Sequence, residues 1–320
     1  MPFYKIGTIG DKADAYISKK LFEEYKQRYN YPKCGEVMIT CAGTVGKTIL
    51  YNGQDAYYQD SNIVWISNPR KIYSNEFLNY LLNRVDWSKL NSTTITRIYN
   101  DNLRELHITF PSREEQDKIV SLLTRIDDRI DTQSKIIEEQ ETLLKSLADK
   151  LISAQSANVA ICGCVDAKAS TMKEGELESH GAFPVFGASG LCGYSNEALE
   201  ESDSILVTKD GSGVGTCQYA TGAHSFLGTL CSLTAKEGVY LPYVYYALLN
   251  FNFASFKTGL AIPHIYFKDY GKAVIYCPSY DEQVRIASGL EKIEAKIKSD
   301  KELLKQYQLQ KEYLLSRMFI

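Results

Sequence analysis

Pro111-Ser112-Arg113-Glu114-Glu115-Gln116 and Pro278-Ser279-Tyr280-Asp281-Glu282-Gln283 are two versions of one six-residue motif, separated by 167 residues. Other short matches around the motif keep the same separation, and one match differs from it by two residues. These matches are Ile98-Tyr99 with Ile265-Tyr266, Leu81-Leu82-Asn83 with Leu248-Leu249-Asn250, Ile119 with Ile286, Leu147 with Leu314, and Val45-Gly46 with Val214-Gly215. Because solenoid repeats are only about 20–50 residues long, this period predicts two tandem domains.

Each copy of the motif has the features of a helix start. A proline precedes a serine N-cap, and an acidic residue completes a capping box, Ser112 with Glu115 and Ser279 with Glu282. The apolar residues that follow recur at spacings of three and four, which is typical of a coiled-coil seam of about five heptads. The two stripes are Ile119, Leu123, Ile126, Ile130, Ile137, Leu144, Leu147 and Leu151, and Ile286, Leu290, Ile293, Ile297, Leu304, Tyr307, Leu314 and Met318. We expect the two helices to pack against each other in antiparallel orientation.

Four polar residues interrupt these stripes, Gln133 and Gln140 in the first and Asp300 and Lys311 in the second. Polar side chains inside a seam reduce stability but fix the register and orientation of the helices. An equally good interpretation places them at the edge of the seam, where water solvates them.

The segment before each helix has mixed secondary structure. Short β-branched and aromatic runs predict strands at Val37–Thr40, Ile63–Ile66 and Ile205–Thr208, and helical spacing covers Glu76–Leu90 and Tyr243–Phe256. The predicted fold class is therefore α+β, with two tandem mixed α/β domains that each precede a long helix. The predicted segments are 1–110 for the first domain, 111–155 for its helix, 156–277 for the second domain and 278–320 for its helix.

The composition is that of a folded protein with a weakly acidic balance. Apolar residues make up 44% of the 320 residues, and no apolar run approaches the roughly 20 residues of a membrane helix. Residues 1–5 lack the charged-then-apolar order of a secretory signal, so we expect a cytoplasmic protein. The net charge of −3 counts against DNA binding by the chain alone, since nucleic-acid binders are usually basic. A local basic patch or a basic partner can supply the missing charge.

Signals for catalysis or metal binding have simpler interpretations. The 8 cysteines of a chain without a signal are expected to be reduced and buried, and Cys162 and Cys164 lack neighbours at zinc-ligand spacing. Glu115, Asp117 and Lys118 lie in the first turns of a capped helix, where the dipole favours acidic side chains. No adenine-methyltransferase signature is present. We expect no catalytic residue, no metal ligand and no bound cofactor. The histidines without a catalytic partner in the sequence are His107, His180, His224 and His264.

Residues 41–48 almost match the phosphate-binding loop G-x-x-x-x-G-K-[ST], with Cys41 in place of the first glycine. The residues that follow, 49–53, predict a strand and a turn, whereas the motif needs a helix whose N-terminus faces the phosphates. The second copy, 211–216, has no lysine. We interpret both segments as hairpin turns in which glycine permits positive φ, and keep a nucleotide-hydrolysing enzyme as an alternative.

The order of these motifs resembles that of the specificity subunit of Type I restriction–modification enzymes, over nearly the whole chain. Such subunits carry two target-recognition domains, each followed by a long helix, and the helices form an antiparallel coiled coil. The resemblance rests on Gly43-Thr44-Val45-Gly46-Lys47, Thr93-Thr94-Ile95 to Leu103, and 111–116 in the first copy, and on 203–215, 257–270 and 278–283 in the second.

The resemblance implies a non-catalytic subunit that reads a bipartite site on double-stranded DNA. It also implies that the helices dock two methyltransferase subunits. Those partners would bind S-adenosylmethionine and methylate adenine, and a motor–nuclease restriction subunit, where present, would cut unmethylated DNA. The chain itself would need no cofactor.

Polar and basic loop residues are the candidates for DNA contact. Arg and Lys pair with guanine edges or phosphates, and Ser or Asn can read adenine or sugar oxygens. In the first domain the candidates are Lys19, Lys20, Lys26, Arg28, Lys47, Thr93, Thr94 and Arg97. In the second domain they are Lys168, Lys173, Lys209, Ser212, Lys257, Thr258, His264 and Lys268.

The two copies differ at their start. Residues 159–181 precede Phe183-Pro184-Val185-Phe186 in the second copy, whereas its match in the first copy, Pro2-Phe3-Tyr4, has almost nothing before it. We therefore expect the first recognition domain to be shortened at its N-terminus. The alternative function is a truncated or recombined fragment that acts as a coiled-coil scaffold and no longer reads DNA.

Overall fold

The computed structural model describes residues 1–58, 62–90, 97–259 and 262–318. The chain divides into two compact units, unit 1 with residues 1–132 and 304–320, and unit 2 with residues 133–303. Each unit therefore contains one mixed domain, part of the first long helix and part of the second.

Unit 1 contains two small sheets and four helical segments. Its strands are β1 (Pro2–Tyr4), β2 (Ala15–Tyr16), β3 (Val37–Thr40), β4 (Thr48–Leu50), β5 (Tyr57–Tyr58) and β6 (Ile63–Ile66). Its helices are α1 (Lys19–Arg28), α2 (Asn75–Leu82), α3 (Asn100–Arg104) and the first part of α4 (Arg113–Ala148). One sheet has the order β4-β3-β6 and is antiparallel; the other has the order β2-β1-β5, with β5 parallel to β1.

Unit 2 repeats this plan and extends it. Its strands are β7 (Val159–Ala160), β8 (Val165–Ala169), β9 (Phe183–Gly187), β10 (Gly190–Ser195), β11 (Ser204–Thr208), β12 (Cys217–Ala220), β13 (Ser225–Phe226), β14 (Leu230–Ala235) and β15 (Val274–Ile275). Its helices are α5 (Ile161–Cys164), α6 (Leu241–Leu249), α7 (Phe267–Tyr270) and the first part of α8 (Tyr280–Met318). The sheets have the orders β12-β11-β14-β8, β10-β9-β13 and β15-β7.

The strands predicted from the sequence are confirmed. β3 and β6 coincide with the predicted segments, and β11 contains the third. The proposed match between the starts of the two copies also holds, because Phe3 pairs in parallel with Tyr57 as Val185 pairs with Ser225. Residues 159–181, without a counterpart in unit 1, form β7, α5, β8 and a short 3-10 turn.

The two predicted domain helices were too long. Glu76–Leu90 divides into α2 and a separate 3-10 turn at Trp87–Leu90, and Tyr243–Phe256 divides into α6 and a 3-10 turn at Phe253–Phe256. In both units the break lets the chain turn back beneath the hairpin loop that follows the central strand.

A close approach of backbone to an aromatic ring explains this break. Gly46 and Gly215 have φ of 85° and 90° and occupy equivalent positions in the two hairpin loops. A Cβ on Gly46 would lie 2.1 Å from the Trp87 ring, and a Cβ on Gly215 would lie 2.8 Å from Phe253. Only glycine fits there, because it tolerates positive φ and leaves room for the ring. Both loops join antiparallel strands, so the prediction of hairpin turns is confirmed.

One sequence match was wrong by a single residue. The hydroxyl of Tyr80 donates to Asp127, and the hydroxyl of Tyr246 donates to Glu294, so α2 and α6 are related by an offset of one less than the motif. Leu82 is accordingly equivalent to the buried Leu248, and not to Leu249, which is 40% exposed.

The long helices are present and pack as an antiparallel coiled coil. In unit 1, Ile119 and Leu123 near the start of α4 pack against Leu314 and Met318 near the end of α8. In unit 2, Leu147 near the end of α4 packs in the core that contains Ile286 near the start of α8.

The first stripe departs from the prediction at its end. Five residues of π-helix, Asp149–Ser153, follow α4, and the extra residue in this turn shifts the phase of the helix. Ile152 is therefore buried, whereas the predicted seam residue Leu151 is 38% exposed.

The polar residues of the seam are mostly inside it. In unit 2, Gln133 and Asp300 are buried, the Gln140 amide donates to the Asp300 carboxylate at 2.9 Å, and Lys296 donates to the same carboxylate at 2.6 Å. Donation by Lys296 and Gln140 holds the pKa of Asp300 below its ordinary value. For Asp300 and Gln133 the register-fixing interpretation is therefore favoured over the solvated edge.

The cysteine prediction was only partly right. All 8 cysteines are free thiols, but Cys34, Cys162 and Cys192 are exposed rather than buried. Within the described residues, no helix is both long enough and apolar enough to span a membrane.

Candidate nucleic-acid interface

Two loops of unit 2 are joined at the end of the central strand β11. The loop after β11 approaches the segment before α7, where Gly211 N–H donates to Pro263 O at 3.0 Å and Ile265 N–H donates to Lys209 O at 2.9 Å. Because each segment supplies a backbone donor to the other, the pair forms one hydrogen-bonded surface. We call residues 209–216, 257–259 and 262–268 the unit 2 loop surface.

A histidine at the centre of this surface has a fixed orientation. His264 Nδ1 lies 2.6 Å from Asp210 Oδ1, and both side chains are about one-third exposed. Thr258 N–H donates to His264 O at 2.9 Å, and His264 N–H donates to Thr258 O at 2.8 Å. With Nδ1 held by the carboxylate, Nε2 is the ring nitrogen left to face a ligand.

Six of the eight candidates in the second domain belong to this surface. Ser212, Lys257, Thr258 and Lys268 are exposed, and Lys209 and His264 are half-buried. Lys268 Nζ also lies 5.3 Å from the centroid of the Tyr266 ring, which is itself 47% exposed. The surface thus combines hydroxyl, imidazole, ammonium and aromatic groups, the set that contacts phosphates and base edges.

The other two candidates of the second domain lie on different elements. Lys168 is on β8, where it donates to Leu199 O and lies 3.9 Å from Glu200. Lys173 precedes a 3-10 turn, and its backbone N–H donates to Glu176. The structure brings neither of them into contact with the loop surface among the described residues.

Unit 1 has the same backbone arrangement with different side chains. Ile98 N–H donates to Cys41 O at 2.9 Å, as Ile265 donates to Lys209, so Arg97 occupies the position of His264. Thr93 and Thr94 belong to this predicted site but lie outside the described residues. Lys47, in the hairpin loop, pairs with Asp11 at 3.1 Å.

The remaining candidates of unit 1 lie along α1. Lys19 and Lys20 are exposed in its first turn, and Arg28 lies 5.5 Å from the ring of Tyr29 at its end. Lys26 pairs with Asp55 at 2.5 Å, a hydrogen bond that raises the lysine pKa. Among the described residues, no contact joins α1 to Arg97, so the eight candidates do not form one cluster.

Two kinds of functional residue were missed in the sequence. Asp210, which orients His264, lies 54 residues away from it, and only folding brings the two together. Gln116 and Gln283 were recorded as part of the motif, but their role was not recognised, although their repetition in both copies was a usable signal.

These glutamines connect each domain helix to the start of a long helix. Gln116 Oε1 accepts from Ser74 N–H at 2.8 Å, while its Nε2 donates to Pro111 O at 2.9 Å. Gln283 accepts from Tyr240 N–H at 2.9 Å and donates to Pro278 O at 2.9 Å. Each amide is buried and uses both ends, which fixes where the helix leaves the domain.

The described residues offer little for catalysis. They contain no group of three or more His, Cys, Asp or Glu side chains able to hold a metal ion. His224 lies 2.9 Å from Ser204, but both residues are fully buried, and His224 also contacts Gly222 O at 2.8 Å. Asp117 and Lys118 form ion pairs with Arg113 and Glu114 on the same helix, as expected for a helix start.

Comparison with solved structures finds the same fold. The Type-I restriction-modification system S subunit from M. genitalium superimposes with a TM-score of 0.67 at 20% identity, over 100% of this chain and 88% of that chain. A chain from a structure describing complex assembly and conformational transition of the type I R-M system gives a TM-score of 0.58 at 16% identity, over 90% of this chain and 82% of that chain.

Two curated relatives match parts of the chain. A putative type I restriction enzyme specificity subunit of Haemophilus influenzae is 46% identical over 139 residues, which is 43% of this chain and 35% of the relative. A putative type I specificity subunit of Mycoplasma genitalium is 27% identical over 176 residues, 49% of this chain and 46% of the relative. The matched part is therefore less than half the length of either relative.

The family model described as the Type I restriction modification DNA specificity domain matches residues 1–142 and again residues 161–308. Both matches agree with the repeat in the sequence and with the two units of the structure. The chain belongs to the Type I restriction–modification DNA specificity family.

Proposed function

We propose that this chain is the DNA-reading subunit of a Type I restriction–modification complex and that each unit reads one half of a bipartite site. The observation that carries the proposal is the repetition of one loop arrangement at the end of the central strand in both units. The backbone bond from Ile98 to Cys41 repeats as that from Ile265 to Lys209, while the neighbouring side chains differ, Arg97 against His264. A shared backbone with different polar side chains is what two independent readers of different half-sites require.

The long helices are the proposed docking surface for two methyltransferase subunits. Besides its buried seam, α4 carries an exposed apolar stripe at heptad spacing, Leu122, Ile136 and Leu143, which are 41%, 37% and 49% exposed. Exposed apolar side chains aligned on one helix face are typical of a surface that a partner covers. A partner can also supply the positive charge that a chain of net charge −3 lacks.

The catalytic steps belong to the partners in this proposal. The methyltransferase subunits would bind S-adenosylmethionine and methylate adenine in cytoplasmic DNA, and a restriction subunit, where present, would cleave. The isolated chain is expected to show neither methylation, cleavage nor ATP hydrolysis.

Measurement of DNA affinity against salt tests the proposal. The chain is assembled with the methyltransferase subunits of its host, and the site is first identified by sequencing methylated DNA. Each phosphate contact contributes about one unit to the slope of log affinity against log salt, so Lys257→Ala should flatten the slope by roughly one. Lys272→Ala, an exposed lysine of unit 2 outside the loop surface, is the matched control and should leave the slope unchanged.

One observation favours the scaffold as the second candidate. The sheet of unit 1 has three strands where that of unit 2 has four. If the assembly binds its methylated site no better than unrelated DNA, and neither lysine matters, the scaffold replaces the DNA reader.

A further inference from the structure

The sheet of unit 1 has an open edge at a position that unit 2 fills. β6 pairs with β3 as β14 pairs with β11, since Ile63 lies opposite Thr40 and Leu230 lies opposite Thr208. In unit 2, β8 adds antiparallel to the far edge of β14. Across the described parts of unit 1, no strand pairs with the corresponding edge of β6.

Backbone groups on this edge point outward. Cys41 N–H donates to Asn62 O at 2.8 Å, as Lys209 N–H donates to Thr229 O at 2.9 Å, so the two strand pairs have the same hydrogen-bond phase. In an antiparallel ladder every second residue bonds to the opposite neighbour. Trp65 is the equivalent of Ser232, which faces β8, so the N–H and C=O of Trp65 face the open side. Such an edge is a template for another strand.

Side-chain burial shows the same difference. Cys231, Ser232 and Leu233 of β14 are buried, whereas the equivalent residues of β6, Val64, Trp65 and Ile66, are each only half-buried. A cleft of about 590 Å³ borders the β6 edge; its walls include Val64 and Trp65 on one side and Tyr29, Tyr31 and Tyr57 on the other.

A second opening in unit 1 matches the segment that precedes β8. In unit 2, Ile161 is fully buried in the core that contains Ile286, and β7 pairs with β15 with Val159 opposite Ile275. In unit 1 the equivalent of Ile275 is Ile108, which is half-buried and lies in no strand. A cavity of about 530 Å³ opens there, lined by Phe77, Leu106, Ile108 and Ile119 among others.

We propose that these two openings bind one segment of a separate polypeptide, with the chemistry of residues 158–169. Its first apolar strand would pair with residues 106–108, an isoleucine would fill the cavity, and its second strand would extend the sheet at β6. Unit 2 is the template, because it holds such a segment against equivalent residues. Residues 158–169 of this chain are themselves engaged in unit 2, so a separate chain is the assigned donor. Strand addition with a pocket for one anchoring side chain is a recurrent mode of peptide recognition.

A synthetic peptide of residues 156–171, carrying a fluorescent label, is the probe for the full-length chain under reducing conditions. Binding followed by anisotropy should saturate at one peptide per chain, and the peptide should raise the Tm, since it binds only the folded state. The same peptide with Ile161→Asp should not bind, because a charge cannot enter the apolar cavity.

Two variants at one position separate strand addition from side-chain contact. Trp65→Ser keeps the backbone N–H and copies Ser232, whereas Trp65→Pro removes the N–H. Proline is tolerated on an edge strand where that N–H faces solvent. Trp65→Ser should bind the peptide as the unsubstituted chain does, and Trp65→Pro should bind at least about tenfold more weakly, which is 1.4 kcal/mol. Circular dichroism of both variants without peptide checks their fold.

Three results would overturn the proposal. The first is the absence of saturable binding by the unsubstituted chain. The second is equal binding by a folded Trp65→Pro variant, which would locate the peptide elsewhere. The third is self-association of the chain that Trp65→Pro abolishes, which would make a second copy the occupant of the edge.

Discussion

At the scale of single residues, one glutamine ties each globular part to its long helix. Gln116 and Gln283 are each 2% exposed and bridge a domain-helix N–H to the proline carbonyl that precedes the long helix. A buried amide that uses both ends costs little, but its loss leaves a buried donor and acceptor without partners.

Replacement of this amide should destabilise the protein selectively. Gln283→Leu keeps the volume but leaves Tyr240 N–H and Pro278 O unpaired, so the free energy of unfolding should fall by about 1–3 kcal/mol. Gln308→Leu, an exposed position on the same helix, should change it by less than about 0.5 kcal/mol. Urea denaturation followed by circular dichroism measures both, and equal effects would show that Gln283 is not a structural tie.

The candidate contacts could be predicted only in part from the sequence. Loop position and residue type were sufficient to select Lys209, Ser212 and His264, because a glycine-rich turn after a predicted strand marks a surface loop. The Asp210 partner of His264 was not predictable, since the pairing depends on a contact across 54 residues. Lys26 and Lys47 were selected by type, yet each carries an ion pair with a distant aspartate.

At the scale of elements, the coiled coil shows what periodicity can and cannot predict. The heptad stripe predicted Leu123 and Leu290, now the most buried residues of the two seams. It could not predict the π-helical turn at Asp149–Ser153, because one extra residue per turn leaves no compositional mark. Nor could it place Asp300 inside the seam, since a polar residue at such a position is compatible with either a buried or a solvated site.

Asp300 should make the stability of unit 2 dependent on pH. Lys296 and Gln140 lower its pKa in the folded state, so its carboxylate stabilises the fold above the unfolded pKa of about 3.9, and this contribution is lost as pH falls through the folded value. Asp300→Asn should therefore lower the Tm at pH 7 by a few degrees, with the difference from the unsubstituted chain shrinking below about pH 4. A difference that does not change between pH 7 and pH 3 would contradict a charged Asp300 in the folded state.

Helix length should set the spacing of the half-sites. Asp127 pairs with Lys311 at 2.5 Å in unit 1, and Gln140 pairs with Asp300 at 2.9 Å in unit 2, so Asp131 and Leu304 mark matched points in α4 and α8. Seven residues inserted after each should preserve both registers and add about 10 Å, close to three base pairs. The methylated sites in cells that express the extended chain should show the longer spacer. Full methylation at the original spacing would mean that the partner subunits, and not the helices, set the distance.

At the scale of the whole molecule, the repeat accounts for most of what could be predicted. A motif that occurs twice at 167 residues implies two similar units without any knowledge of their fold. The comparison of the copies also located their main difference, because residues 159–181 supply the strand that unit 1 lacks at β6. The open edge itself required the structure, since strand order cannot be read from a list of strands.

Exchange of one recognition domain tests the central claim most directly. Residues 156–277 are replaced by the equivalent segment of a relative with a different specificity, and the hybrid is expressed with its methyltransferase partners. Sequencing of methylated DNA should show a site in which one half has changed and the other half is the original, because each unit reads its own half. A site in which both halves change, or neither does, would contradict two independent DNA-reading units.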